Sequence, residues 1–424
     1  MNENRPKLTL HKGHSVPRSA AAPVPSQKTA ASPLVVLGGV DWVVVAAVVI
    51  LVLFGILMVF SASYAITGRS ANYNFNPFHY LTRHSGIAVL GFMVMWMASV
   101  VDIEWFKRFS LPLYLVSLGL LVLVLLIGEE RGGATRWIAV PVFGQFQPSE
   151  VAKFAIVLFL AQVINKFPKI LTNDTKNKGR NVLSRLWLRY KGFLYCLVAV
   201  GIMVFLVLLG NFSTAIIVGI IGGGIIFIAS PYVLRFFLGG GLAAGAGGGY
   251  LYWMAFHAGE GVQGAFRGGR VRAWLEPFEY MDTFGYQIVN SLYAIASGGL
   301  FGLGIGQSRQ KSFLPEVHND VIFAVVCEEL GLIGAGILLS LFAIVVWRGM
   351  RIAMNAPDNF MSLTAVGIVI WVASQVIINV AVVTNSMPNT GVPMPFISYG
   401  GTALIMNMAA MGVLLNISRR KKVR

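Results

Sequence analysis

The chain has 424 residues, 56% of them hydrophobic and only 12% charged, with a formal net charge of +16 and a mean hydropathy of +0.72. That is about half the charge of a soluble globular protein, so a water-soluble enzyme is excluded and a multi-pass membrane protein is expected. The basic excess does not point to nucleic acid, because no recognition motif accompanies it; it reads as inside-positive loops and attraction to anionic headgroups.

The first 40 residues are polar and rich in Pro, Ala and Ser, and are expected to form a disordered tail. Apolar runs then predict about ten transmembrane helices, near 41–61, 85–101, 111–128, 150–165, 193–210, 213–230, 233–255, 320–346, 361–384 and 399–417. The fold class is therefore all-α and polytopic. Three domains follow: the tail 1–40, a transmembrane domain 41–417 with a large outer loop 257–319, and a basic tail 418–424. Arg5, Lys7, Lys107, Arg108, the lysines and arginines of 166–191, Arg348, Arg351 and the basic C-terminus fall on one side of that topology. The bias places both termini in the cytoplasm. Cys196 and Cys327 lie in apolar runs, so neither a disulfide framework nor a cysteine metal site is expected.

Three outer segments are more than connectors. The first, Glu129 to Glu150, contains Arg131, Arg136, Trp137 and the string Gln147-Pro-Ser-Glu150. The second, from about His257 to Asn319, holds Arg267, Arg270, Arg272, Lys311, Glu316 and His318. Within it, Tyr286–Gly299 has helical spacing but is too short to cross a bilayer. The third, Met387 to Thr402, carries Ser398 and Tyr399 among three prolines and three glycines. A glycine string, 298–306, superficially resembles a nucleotide fingerprint but lacks the strand and helix that would support it.

Asp320 then leads into an apolar run that itself contains Glu328 and Glu329. Ionisable side chains at membrane depth persist where they pair, face water or do chemistry. Helical geometry puts Glu328 about 12 Å below Asp320, on a broadly shared face. Asp320 is either functional or a helix cap. Glu328 is either functional or half of a structural pair with a base such as Lys153.

Taken together, Ser61-Ala-Ser63, Gly133-Ala-Thr-Arg-Trp-Ile138, Gln147 to Lys153, Arg270-Val-Arg272, Gly285-Tyr-Gln287, Gly298 to Gly304, Lys311 to Gly334 and Pro393 to Thr402 resemble the SEDS family of polytopic peptidoglycan glycosyltransferases, its division branch above its elongation branch. The match spans 61–402 in the family's order; Asn211 stands where the family usually has a carboxylate. The resemblance implies a lipid II polymerase on the outer face of the cytoplasmic (inner) membrane, at the division septum, inverting the sugar's anomeric centre. It implies Asp320 as the catalytic residue and a class B penicillin-binding protein, an FtsI-like transpeptidase, as partner, beside other division proteins and membrane lipids and no nucleic acid. For the pyrophosphate leaving group the candidates are Arg136, Lys153, Arg270, Arg272, Lys311, Ser398 and Tyr399, with Glu316, His318 and Glu328 supporting. A divalent cation, Mg or Mn, is a possible cofactor, without a ligand motif of its own. The competing readings are a lipid II flippase and a scaffold without activity.

Overall fold

The computed structural model describes residues 35–69, 71–131, 134–140, 144–167, 182–230, 262–315 and 317–422, with Gly241, Gly245 and Gly249. The expected seventh span, 233–255, the tail 1–34 and Glu316 lie outside the described residues. The helices are α1 (Trp42–Arg69), α2 (His79–Val100), α3 (Ile103–Ile127), α4 (Pro148–Lys166), α5 (Val182–Gly210), α6 (Phe212–Ala229), α7 (Val262–Leu275), α8 (Tyr286–Gly298), α9 (Ile322–Asn355), α10 (Asn359–Val383) and α11 (Gly401–Ser418). Among the described residues, nine helices are long and apolar enough to span a membrane; α7 and α8 are not. The chain is a multi-pass membrane protein.

Local chemistry explains the starts. Asp102 and Asp358 cap α3 and α10 by accepting from the Glu104 and Met361 amides, and Asn211 caps α6 by accepting from Thr214. Pro148 opens α4, where its missing N–H costs nothing. Asn211, where the resemblance led to the expectation of a carboxylate, caps the helix without a charge. The helix α3 begins well before the expected 111 because Pro112 sits inside it instead of breaking it. The helices α4, α10 and α11 are apolar nearly all round and form the centre of the bundle, while α2, α3 and α5 expose large apolar faces suited to lipid.

At one end of the bundle, strand β1 (Val35–Leu37) pairs antiparallel with β5 (Arg420–Lys422), and Asp41 meets Arg348 at 2.6 Å. The tail 1–40 was expected to be disordered; its residues 35–37 instead pair with 420–422 of the basic C-terminal tail. Lys107 bridges Glu104 and Asp358 at the same end. The opposite end carries all three of the unusual loops. The first folds into a three-stranded antiparallel meander, β2 (Glu129–Arg131), β3 (Ala134–Val140) and β4 (Gly144–Phe146), an element the helical reading did not anticipate.

The segment after α8 turns back along α9. Leu303 and Gly304 donate to the carbonyls of Glu328 and Glu329, and Leu332 and Ile333 donate to Gly299 and Leu300. Gly331 sits at φ 67° where α9 kinks, and a side chain there would collide with Leu300 and Gly302 backbone. The glycine string is therefore a re-entrant loop, descending to the depth of residues 328–333 with its backbone groups satisfied by α9. Leu300, Phe301 and Ile305 are exposed, as are Leu332 and Ile337 of α9, apolar side chains suited to lipid.

Candidate active site

The third outer loop gathers the other two. Thr402 donates to Gln145 O and accepts from the Gln147 amide, tying the loop to the meander. Asn389 donates to Gln287 of α8, and Trp274 of α7 donates to Asn385 O. Ser398 Oγ donates to Asn319 O at 2.6 Å and accepts from Met394 N, while Tyr399 N donates to His318 O. On α10, Asn379 Nδ2 donates to the carbonyls of both Asp320 and Val392. The peptide segment 318–320 is thus held on two sides.

Gly391 marks the centre. A methyl group added there would stand 2.8 Å from Asp320 Oδ2 and 3.1 Å from Arg136 Nη1. The aspartate from the second loop and the arginine from the first therefore converge on one point of the third. Arg270 completes the group. Its guanidinium pKa is pushed down to about 10, first by burial and then by Arg136, with Asp320 pulling it back up. It stays protonated at neutral pH, and the site presents two cations around one carboxylate. The helix α9 starts at Ile322 with Val321 in the cap position, one residue after Asp320.

Beside this group lies an aromatic layer. His318 packs on Tyr80 with ring centroids 4.3 Å apart, and Tyr399 meets Tyr80, His318 and His84. Ser398 and Tyr399 thus position the Asp320 segment through backbone contacts and packing, and His318 belongs to that support. Tyr80 and His84 escaped the sequence reading because nothing in α2's pattern distinguishes them from membrane-interface aromatics. Arg272 is exposed on α7.

Two proposed phosphate ligands stand elsewhere. Lys153 is fully buried and bonds Glu150 at 2.8 Å, with Nζ 5.1 Å from the Trp371 ring centroid. Lys311 is directed at Gly306 O (2.6 Å) and Glu329 (3.4 Å). Both ammoniums are paired with carboxylates, and the partner of Lys153 is Glu150, not Glu328. Glu328 accepts from the Arg309 and Gln310 amides and from Ser308 and Ser297, while Glu329 accepts from Ser61 Oγ at 2.7 Å. Both glutamates fasten the re-entrant loop, and Glu329 also ties it to α1. The partners of Glu328 are therefore backbone amides and hydroxyls of that loop and not a base.

Gly391→Ala is expected to cut turnover roughly 10- to 100-fold through displacement of Asp320 and Arg136. Thermal unfolding of the purified variant should stay near wild type, which separates misalignment from misfolding.

A mainly helical, multi-pass membrane protein with one carboxylate and two arginines gathered at the end of the bundle that carries the three loops is the class that fold and site define. The chain belongs to the FtsW/RodA/SpoVE family of cell cycle proteins, whose model matches residues 41–423. It is 35% identical to the probable peptidoglycan glycosyltransferase FtsW of Geobacter sp. (strain M18), over 91% of this chain and 98% of the relative. It is 37% identical to the stage V sporulation protein E of Bacillus subtilis (strain 168), over 89% of this chain and 97% of the relative. Among solved structures it resembles a chain of a peptidoglycan synthase complex described as coordinating polymerization and crosslinking, with TM-score 0.69, 26% identity and coverage of 90% and 98%. The rod shape determining protein RodA of Thermus thermophilus follows at TM-score 0.60 and 25% identity, covering 90% of this chain and 97% of that one.

Proposed function

We propose that this peptidoglycan glycosyltransferase polymerises lipid II on the outer side of the cytoplasmic membrane, with Asp320 as general base. The observation that carries this reading is the convergence of Asp320 and Arg136 on Gly391, with Arg270 in electrostatic reach. The acceptor sugar's hydroxyl gives its proton to the Asp320 carboxylate and attacks the donor's anomeric carbon. The bond to the undecaprenyl pyrophosphate breaks as the new glycosidic bond forms, which inverts that centre. The leaving group gains negative charge and needs no proton, so what it requires is cationic stabilisation. Guanidinium forks suit phosphate oxygens, and in this reading Arg136 and Arg270 take that task.

A divalent cation would add positive charge at the same pyrophosphate. No three His, Cys, Asp or Glu side chains among the described residues form a group to hold one, so Asp320 is its one candidate carboxylate in this cluster and no step is routed through it. The partner of this reading is a class B penicillin-binding protein supplying transpeptidation, consistent with the polymerization and crosslinking joined in the similar complex. Both termini belong on the cytoplasmic side, where the basic ends meet, and the division septum is the site of action.

The test is polymerisation of labelled lipid II by the purified chain with its transpeptidase partner. Arg136→Gln should raise KM for lipid II by about one order of magnitude, the scale of one charge-assisted hydrogen bond. Unchanged kinetics would remove Arg136 from the site.

A further inference from the structure

The Glu150–Lys153 pair leaves a question that its own contacts do not answer. Glu150 spends one oxygen on Lys153, while Oε2 is buried with no protein partner. Among the other buried polar atoms that share that condition are Trp371 Nε1 and Gln375 Oε1, on side chains that are 0% and 1% exposed. Lys153 links Glu150 and Trp371, and Gln375 follows Trp371 by one helical turn. Lys153 touches the Glu150 carboxylate and lies over the Trp371 ring, so both border the same ammonium. The helices α4 and α10 pack together and run in opposite directions. Moving outward, Glu150 lies about 4.5 Å above Lys153 and Gln375 about 6 Å above Trp371, which brings Glu150 and Gln375 to one level. Trp371 and Gln375 are also only about 40° apart around α10.

We infer that Glu150 Oε2, Trp371 Nε1 and Gln375 Oε1 form a binding site for one internal water. The chemistry is complementary. An indole N–H only donates, a carboxylate only accepts, and the glutamine oxygen accepts. One water accepts from Trp371 and donates to Glu150 and Gln375, the three bonds typical of a buried water. Left dry, each of these atoms gives up its hydrogen bonds to water with nothing in return. The water lets the ion pair keep both charges inside the bundle by completing the acceptor valence of the carboxylate. One turn further out on the same face, Asn379 bonds the Asp320 carbonyl, so the hydrated face ends at the catalytic segment.

The test does not depend on the catalytic assignment. Maps of the wild-type chain and of Trp371→Phe in lipid nanodiscs, at a resolution that shows ordered waters, are compared, with Gln375→Met as a second variant. The expected result is density for a single water within hydrogen-bond distance of all three atoms in the wild type. That density should vanish in both variants, and each should melt a few degrees lower. A wild-type cluster without water density, or density that survives both substitutions, overturns the assignment.

Discussion

Asp320→Asn is expected to reduce glycan polymerisation by roughly 10²- to 10⁴-fold, the usual contribution of a positioned base. The amide keeps the shape of the side chain and its place between Arg136 and Arg270, but it cannot take a proton at neutral pH. Lipid II affinity should therefore change little, and the loss should appear in kcat. The fold should survive as well, because the segment is held by main-chain bonds from Asn379, Ser398 and Tyr399 that the substitution leaves intact. Steady-state kinetics with thermal unfolding alongside separates these quantities. A variant that turns over normally would remove Asp320 from the chemistry. A variant that loses affinity and rate together would make the carboxylate a binding group.

The second large effect concerns stability. Lys153→Met removes the cation that compensates Glu150 in a site closed to bulk solvent, with side-chain exposures of 1% and 2%. Stranding a buried charge costs about 3–5 kcal/mol, a large part of the margin that keeps a protein folded. We expect low membrane yield and a sharply lower unfolding temperature. Adding Glu150→Gln to Lys153→Met should recover much of the loss, since no uncompensated charge remains. Normal stability of the single variant, or no recovery in the double one, would contradict the pair's structural role. This is the opposite signature from Asp320→Asn, whose effect falls on rate alone.

The span pattern and the one-sided placement of the three loops were legible in the sequence, because hydrophobic length and basic-residue asymmetry are both local properties. Asp320 was legible through its motif. The convergence on Gly391 was not, since it requires loops separated by more than 200 residues to meet. The Glu150–Lys153 pair was within reach: an i, i+3 spacing just inside a helix that opens at Pro148 is a pairing signal. Pairing Lys153 with Glu328 overlooked that nearer carboxylate. The contacts of Glu328 and Glu329 were hidden for a different reason. Their partners are backbone amides and hydroxyls of a loop that folds back into the membrane region, and main-chain donors leave no mark in side-chain patterns. The β-meander was missed because helical runs dominate the chain, though Thr135, Ile138 and Val140 suit a strand.

The flippase reading rested on Glu328, Glu329 and Lys153 lining a path through the bilayer. Each is bound to fixed local partners, so that path loses the groups that motivated it. The most direct test of the remaining account is to supply the purified wild-type chain and its transpeptidase partner with labelled lipid II in liposomes. Glycan length and leaflet exchange are then read from the same sample. Long β-linked glycan chains, absent with Asp320→Asn, are the predicted result. Leaflet exchange without polymer, or neither, would contradict it.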